Sequence, residues 1–344
     1  MFNTRFLYHK CKTMKYSGFV GIDVSKATID VSVMATLSSQ AAHCVLGNDT
    51  KGFKAMVSWL RKAGFLPGKL FYCLEHTGVY SLELSYWLDE NGFIYYLGNP
   101  LDIKRSLGLV RGKSDKADSK HLARYAAKNH EELKLTRMPS KLLLEIKSLL
   151  THRQMLARQK RELKQAKKRL TTLSKSVDTA LIRQQQEEQL EFVIEQIERV
   201  DQKLEALSKY DELVNRNVSL ARSVTGIGLV IAMHMVVQTH NFTGFDNGRQ
   251  FACYSGSAPF EYSSGTSIRG KTRVHPIANK RMKGLMSNGA VAAIRYDKEI
   301  KRYWERKRAE GKAKGVVLNA VRCKLINRVF ATVQRGTPYV TLNF

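Results

Sequence analysis

The sequence lacks long hydrophobic runs. No stretch of about 18 or more apolar residues occurs, which argues against a membrane-spanning helix. The first residues include basic side chains but no apolar core and no small-residue cleavage site, so a signal peptide is not indicated. We expect residues 1–15 to be a disordered leader, with translation starting at Met1 or at Met14. The sequence therefore favours a cytoplasmic protein.

Cysteine and acidic residues are both scarce. The five cysteines are scattered and include no Cys-x-x-Cys pair, which argues against a disulfide framework and against a zinc site. Only 30 Asp and Glu stand against 57 Lys and Arg, for a formal net charge of +27. So positive a chain attracts polyanions, and its basic residues are spread over several segments instead of forming one amphipathic membrane anchor. The composition therefore favours nucleic acid as the partner.

Residues 16–138 predict an α/β domain. Short apolar or alternating runs predict strands, the first two joined as a hairpin across Ser25 and Lys26. The predicted strands cover residues 19–24, 28–33, 70–74 and 93–97, and the predicted helices cover residues 50–63 and 81–91. This alternating order places a functional site at the strand ends of a sheet.

The spacing of apolar residues in segment 139–212 predicts two long helices. Apolar residues recur in both at four-three spacing, which is typical of an antiparallel hairpin or of an intermolecular coiled coil. The first helix is strongly basic and the second is acidic. Either these charged faces pair with each other, or the basic stretch around Lys164, Lys167 and Lys168 contacts nucleic acid.

Residues 213–344 predict a mainly helical third domain. The segment from Ser223 to Gly228 is similar to a helix-hairpin-helix turn, whose glycine amides approach a phosphate, and equally to an ordinary tight turn. Further along, basic residues are interleaved with Tyr303 and Trp304. Either this tail grips a phosphate backbone and stacks on bases, or Trp304 lies in the core under a solvated basic face.

Four acidic residues lie at positions that suit the binding of a metal ion. Asp23 and Glu75 lie at the ends of predicted core strands, and Asp115 and Asp118 are three residues apart at the start of a predicted helix. Capping of the first helical turn explains either helical acid singly but does not explain the two at strand ends. Carboxylates without a Cys or His cluster favour one or two Mg²⁺ or Mn²⁺ ions, which serve phosphodiester chemistry. Such acids on this α/β order are the pattern of RNase H-like, RuvC-type nuclease domains.

Six short motifs follow one another along nearly the whole chain, at residues 21–26, 75–80, 99–100, 113–118, 225–228 and 262–270. In this order they resemble the motifs of the DEDD insertion-sequence transposases and the related Piv-type DNA invertases. The former are bridge-RNA-guided recombinases.

The resemblance implies an RNase H-like (RuvC-type) DEDD catalytic domain over residues 16–138, a coiled-coil hairpin over 139–212 and a C-terminal transposase domain over 213–344. It assigns the four acids to the metal and Ser264 to nucleophilic attack on the phosphodiester, with Ser267 as the alternative. It also implies strand transfer through a phosphoserine. Its expected partners are donor and target DNA, a structured guide RNA and further copies of the chain in a dimer or tetramer.

Candidate nucleic-acid contacts are basic residues of all three predicted domains. These are Lys113, Lys164, Lys167, Lys168, Arg269, Lys271, Arg273 and Lys280. The stretch from Arg273 to Arg281 departs from the basic-polar pattern of the family. This departure bears on which residues contact DNA or RNA and not on the assignment of the nucleophilic serine.

Three alternatives stay open from the sequence. A Piv-type invertase would use the same chemistry on an invertible segment. A RuvC-type nuclease would use water and keep Ser264 as a structural residue. A noncatalytic nucleic-acid scaffold would use the acids only as helix and turn caps, and would need no metal.

Overall fold

The computed structural model describes residues 16–106, 114–173, 177–264, 268–274 and 278–340. The chain divides into two compact units, Met1–Met138 (unit 1) and Pro139–Phe344 (unit 2). Unit 1 is a mixed α/β structure and unit 2 is mainly helical. Among the described residues, no helix combines the length and apolar character needed to cross a membrane.

Unit 1 is built on a five-stranded sheet of order β3-β2-β1-β4-β5. The strands are β1 (Gly18–Val24), β2 (Thr28–Met34), β3 (Ala42–Gly47), β4 (Leu70–Glu75) and β5 (Ile94–Gly98). Strands β1, β2 and β3 pair antiparallel, whereas β4 is parallel to both β1 and β5. The predicted hairpin is confirmed, because the Ser25 amide donates to the Thr28 carbonyl oxygen at 2.9 Å and closes the turn between β1 and β2.

Helices cover both faces of this sheet. They are α1 (Thr50–Lys62), α2 (Leu82–Glu90), α3 (Pro100–Ser106) and α4 (Asp115–Asn129). One face of β1 packs through Val20 and Ile22 into a core that includes α1 and α2. The opposite face packs through Phe19 onto a second core, to which α4 contributes Leu122 and Ala126. Because side chains alternate along a strand, Asp23 lies on the same face as Phe19, the face that α4 covers.

Helix α4 lies directly against β1 because residue 21 is glycine. A methyl group at Gly21 would overlap the Ser119 carbonyl oxygen and the Ala123 amide nitrogen, which are both backbone atoms of α4. A buried hydrogen bond of 2.8 Å between the Ser119 and Ser32 hydroxyls ties the same helix to β2. The absence of a side chain at Gly21 therefore fixes where the N-terminus of α4 stands over the sheet.

Replacing Gly21 by alanine is expected to push α4 off the sheet, since neither backbone atom can rotate away. Overpacking of this kind costs about 1–3 kcal/mol, occasionally more, and it would also separate the acids at the start of α4 from Asp23. Urea unfolding and Mn²⁺ titration of the variant measure the two effects. Gly68→Ala is the matched control, because a methyl group there meets no atom within 4 Å. Equal behaviour of the two variants would contradict the packing argument.

Unit 2 begins with an antiparallel helical hairpin of two long helices. The hairpin consists of α5 (Lys141–Leu173) and α6 (Ala180–Ser208). The helices that follow in unit 2 are α7 (Glu212–Arg222), α8 (Leu229–Gln238), α9 (Gly248–Tyr254), α10 (Lys280–Tyr296), α11 (Lys298–Ala309) and α12 (Lys314–Arg335). Strands β6 (Phe260–Ser264) and β7 (Ile268–Arg273) pair antiparallel. Helices α5 and α6 pack against each other within the chain, in agreement with the predicted hairpin.

The basic and acidic helices of this hairpin pair with each other. Ion pairs join Arg153 to Asp201, Lys167 to Glu187 and Lys203 to Glu145. The buried seam is wider than four-three spacing indicates, since Leu143 and Leu150 are buried as well as Ile146 and Leu156. The reason is that α5 packs against α8 in addition to α6, so a second apolar stripe is covered.

The turn between α7 and α8 is explained by packing. Gly226 has φ +96°, and a methyl group there would overlap the carbonyl oxygen of Gly289 on α10.

Near the C-terminus, Tyr303 and Trp304 are half-buried against the core of unit 2. The Lys324 ammonium lies 4.6 Å from the centre of the Tyr303 ring. Both aromatic rings therefore have a structural role, whatever the surrounding cations bind.

Candidate metal centre

Three predicted acids meet over the sheet of unit 1. Carboxylate oxygens of Asp23, Asp115 and Asp118 all lie within 4.8 Å of one another. Asp23 is half-buried on β1, the central strand, whereas Asp115 and Asp118 belong to the first turn of α4. The close contact of α4 with Gly21 brings these residues together although more than ninety positions separate them in the sequence.

The N-terminus of α4 is capped by Ser114. Its hydroxyl accepts a hydrogen bond of 3.2 Å from the Ala117 amide. The role of N-cap is therefore filled, and neither Asp115 nor Asp118 is needed for it. Both acids still lie in the first turn of the helix, where acidic side chains stabilise a helix. Capping alone does not account for the gathering of these two acids around Asp23.

Glu75 and Asp30 lie on the same face of the sheet as Asp23. Glu75 is the last residue of β4, parallel to β1, and Asp30 is directly opposite Asp23 on β2. Asp30 was not among the predicted site residues, although the hairpin turn at Ser25 and Lys26 implies this pairing. It is buried, and its carboxylate is 2.8 Å from the His43 Nε2 atom. The sheet thus places three acids on the face that α4 covers, and α4 adds Asp115 and Asp118.

The acids around it perturb the ionisation of Asp23. The pKa of Asp23 is raised to about 6, mainly by burial and then by the neighbouring charges of Asp118, Asp115, Glu75 and Asp30, in that order. All of these effects disfavour the carboxylate. A cation bound among the acids would act in the opposite direction, since an opposite charge within a few ångströms favours the ionised form.

Divalent-ion binding is expected to depend on pH through Asp23. A carboxyl group with a raised pKa keeps its proton below about pH 6, so an ion must displace that proton and binds more weakly as the pH falls through 6. The linkage to folding has the same sign. Without metal, the ionised Asp23 opposes folding, so its contribution to the free energy of unfolding rises as the pH falls from above 6 toward 4.

Calorimetric titration with Mn²⁺ at pH 5, 6 and 7 measures this dependence. The affinity should increase with pH, with proton release on binding near pH 6. Asp23→Asn should remove the proton release. A pH-independent affinity in the wild-type protein would contradict the role of Asp23 as a ligand.

The donor set fits a hard divalent cation. Carboxylate oxygens from two rigid elements converge within 4.8 Å, and within the described residues no cysteine or histidine joins that group. Mg²⁺ and Mn²⁺ prefer oxygen ligands of this kind, whereas zinc favours nitrogen and sulfur. Asp23, Asp115 and Asp118 are thus the residues that could hold such an ion, with Glu75 beside them.

The predicted nucleophile lies in unit 2. Ser264 is the last residue of β6, and its backbone pairs with Ile268 across the two-stranded sheet. The alternative nucleophile, Ser267, lies outside the described residues. The acid cluster is therefore assembled within unit 1 without the serine, whose role stays a prediction.

The predicted nucleic-acid contacts are dispersed. Lys164 and Lys168 are exposed on α5, Lys280 is exposed at the start of α10, and Lys167 pairs with Glu187. Strand β7 contains Arg269, Lys271 and Arg273, and Lys113 lies outside the described residues. Their contact roles also stay predictions.

The chain is similar to two transposase families and to pilin gene-inverting proteins. The family described as "Transposase", of the IS110 DEDD type, matches residues 20–175, and the "Transposase IS116/IS110/IS902 family" matches residues 218–305. Pilin gene-inverting proteins of Moraxella bovis and Moraxella lacunata are each 26% identical over 326 residues, which cover 93% of this chain and 97% of theirs. An uncharacterized 43.6 kDa protein of insertion element IS110 from Streptomyces coelicolor is 32% identical over 117 residues, 34% of this chain and 29% of its own length.

Proposed function

The chain belongs to the family of IS110-type transposases and Piv-type DNA invertases, and from this premise we propose that it is the recombinase of an insertion sequence. The gathering of Asp23, Asp115 and Asp118 carries the proposal, because three carboxylates within 4.8 Å can hold a divalent cation. The activity proposed is the cutting and rejoining of DNA by serine attack on the phosphodiester.

The acids act from rigid elements. Asp23 is on β1, the central strand of the sheet. Asp115 and Asp118 are on α4, whose backbone lies directly against β1 at Gly21. Their separations are thus set by the fold rather than by a loop. A divalent ion bound there would offset the charge of the cluster and stabilise negative charge on the phosphate.

Ser264 is proposed as the nucleophile. Its Oγ atom would bond to phosphorus while its proton passes to a base, and the bond from phosphorus to the departing deoxyribose oxygen would break. That oxygen would take up a proton and become a free DNA hydroxyl. A hydroxyl of another DNA end would reverse the step, releasing Ser264 and joining the strands. Arg269 and Lys271 on the paired strand are the proposed cations for the developing phosphate charge.

The proposed partners are donor DNA, target DNA and a structured guide RNA. A net charge of +27 suits a protein that binds more than one polyanion. The hairpin of α5 and α6 is the proposed assembly device, acting as a coiled coil between copies in a dimer or tetramer. Met155 and Phe192 on the hairpin are 50% and 61% exposed, and another copy would cover such side chains.

A Piv-type invertase is the second candidate. It is favoured by the two pilin gene-inverting proteins, whose similarity extends over 93% of the chain. Both candidates require the same chemistry at the phosphodiester. They differ in the DNA that flanks the gene: an insertion sequence has element ends and a guide RNA, whereas an invertase acts on an invertible segment.

The test is a denaturing gel of end-labelled donor DNA incubated with Mg²⁺, the purified protein and its co-expressed RNA. A protein-linked DNA species supports the serine mechanism. Free cleaved ends without a protein adduct would support a nuclease that uses water. A lack of any cleavage, with or without added Mg²⁺, would contradict the recombinase proposal.

A further inference from the structure

The loop of residues 76–80 follows Glu75 directly and presents two large apolar side chains to solvent. Val79 is 72% exposed and Tyr80 is 44% exposed. The loop begins at the carboxyl end of β4, the edge of the sheet at which Asp23 lies on the parallel strand β1. Two exposed apolar side chains beside an acid cluster are not explained by the packing of unit 1.

Hydrogen bonds hold this loop at both sides of the acid cluster. The His76 amide donates to the Gly98 carbonyl oxygen at 3.0 Å, which continues the pairing of β4 with β5. The Asn48 Nδ2 atom donates to the carbonyl oxygens of Tyr80, at 3.1 Å, and Ser25, at 2.9 Å. Because Ser25 is two residues beyond Asp23, this single amide group ties the end of the loop to the turn that follows Asp23.

The chemistry of these side chains selects the part of a nucleic acid that they can contact. Phosphate would be repelled by the neighbouring acids unless a cation lies between them, and neither valine nor a tyrosine ring offers it a positive charge. A nucleobase presents an apolar face that stacks on aromatic rings irrespective of its sequence. A strand that brings one phosphate to the acids also brings the adjoining bases to the surface around them.

We propose that Val79 and Tyr80 form a contact for the base of a nucleotide next to the phosphodiester that is cut. The inference rests on the proposed function and adds to it a positioning surface for the DNA strand. Tyr80 supplies the stacking ring and Val79 the apolar contact beside it. Asn48 holds the loop in register with the strand that contains Asp23.

The experiment uses donor DNA in which 2-aminopurine, a fluorescent base quenched by stacking, is placed at successive positions in separate substrates. With the full-length protein, its co-expressed RNA and Ca²⁺ in place of Mg²⁺, wild type should quench the probe at one or two adjacent positions. Tyr80→Ala should lose that quenching and Tyr80→Phe should keep it, since only the ring is required. With Mg²⁺, Tyr80→Ala should raise KM for cleavage roughly tenfold, the order expected for one lost base stack.

Matched controls come from exposed side chains elsewhere in the chain. Tyr210→Ala removes a tyrosine that is 82% exposed in unit 2, and Leu37→Ala removes a side chain that is 51% exposed beyond the opposite end of β2. Both control variants should quench the 2-aminopurine fluorescence as the wild-type protein does, whereas Val79→Ala should quench it less. Quenching that persists in Tyr80→Ala at every position would overturn the inference even if cleavage is observed. Cleavage that fails while quenching depends on Tyr80 would instead contradict the proposed function alone.

Discussion

Replacing Asp23 by asparagine is expected to abolish DNA cleavage and, at the same time, to stabilise the protein in the absence of metal. Cleavage should fall about a thousandfold or more, because metal stabilisation of phosphate charge is worth several kcal/mol and each 1.36 kcal/mol is tenfold in rate. The gain in stability follows from the pKa of Asp23, raised to about 6 by burial and by neighbouring acids. Above that pH the ionised side chain opposes folding, and the amide relieves this effect.

Two measurements at pH 7.5 test the pair of effects. One is the rate of strand cleavage with Mg²⁺, and the other is urea unfolding in the presence of EDTA. Asp102→Asn is the control, since Asp102 is exposed on α3 and does not belong to the acid cluster. Cleavage lost together with stability would indicate a folding defect instead of a missing ligand. Cleavage retained in Asp23→Asn would show that the acid cluster is not the catalytic centre.

Replacing Ser264 by alanine is expected to eliminate the protein-linked DNA species and with it strand joining. No water-mediated step in the proposed mechanism substitutes for the bond between the serine oxygen and phosphorus, so the joined product should fall below detection. Binding of Mn²⁺ should be unchanged, because the acids assemble within unit 1 and Ser264 lies in unit 2. The measurement is the denaturing gel, with Mn²⁺ titration on the same preparation.

Two serine controls separate the nucleophile from its neighbours. Ser263→Ala alters the preceding residue of the same strand and should leave the adduct intact, whereas Ser267→Ala tests the alternative nucleophile. Loss of the adduct in Ser267→Ala alone would move the role to that residue. Free cleaved ends that persist in Ser264→Ala would identify a nuclease that uses water.

The fold of unit 1 could be predicted in part, because the signals of β1, β2, β4 and β5 are local, whereas the edge strand β3 was not predicted. Strands β1 and β2 alternate or are continuously apolar, and the turn at Ser25 leaves one way to pair them, which the structure confirms. The order of the sheet is not a local property. It depends on which strand edges pair, as β1 does with β4, and therefore on contacts between distant segments.

The site could be predicted in part. Asp23, Asp115 and Asp118 were predicted from their positions at a strand end and a helix start, and they do meet. Asp30 was missed because an acid within a strand of alternating pattern is ordinarily a solvent-facing residue; here α4 covers that face and His43 pairs with the carboxylate. Similarly, the stripe containing Leu143 and Leu150 could not be predicted from the hairpin alone, since α8 provides its contact.

The contact between Gly21 and α4 makes the acid cluster a property of the native state alone. In an unfolded chain, Asp23 is separated from Asp115 and Asp118 by most of unit 1, so a divalent ion has no comparable site there. Any ion that binds the cluster therefore shifts the folding equilibrium by mass action, by about 2.7 kcal/mol at a free concentration 100 times its dissociation constant. The free concentration of the divalent ion would then set the free energy of unfolding of unit 1 as well as the rate of its reaction, and depletion of that ion would make the protein more susceptible to proteolysis before any DNA is bound.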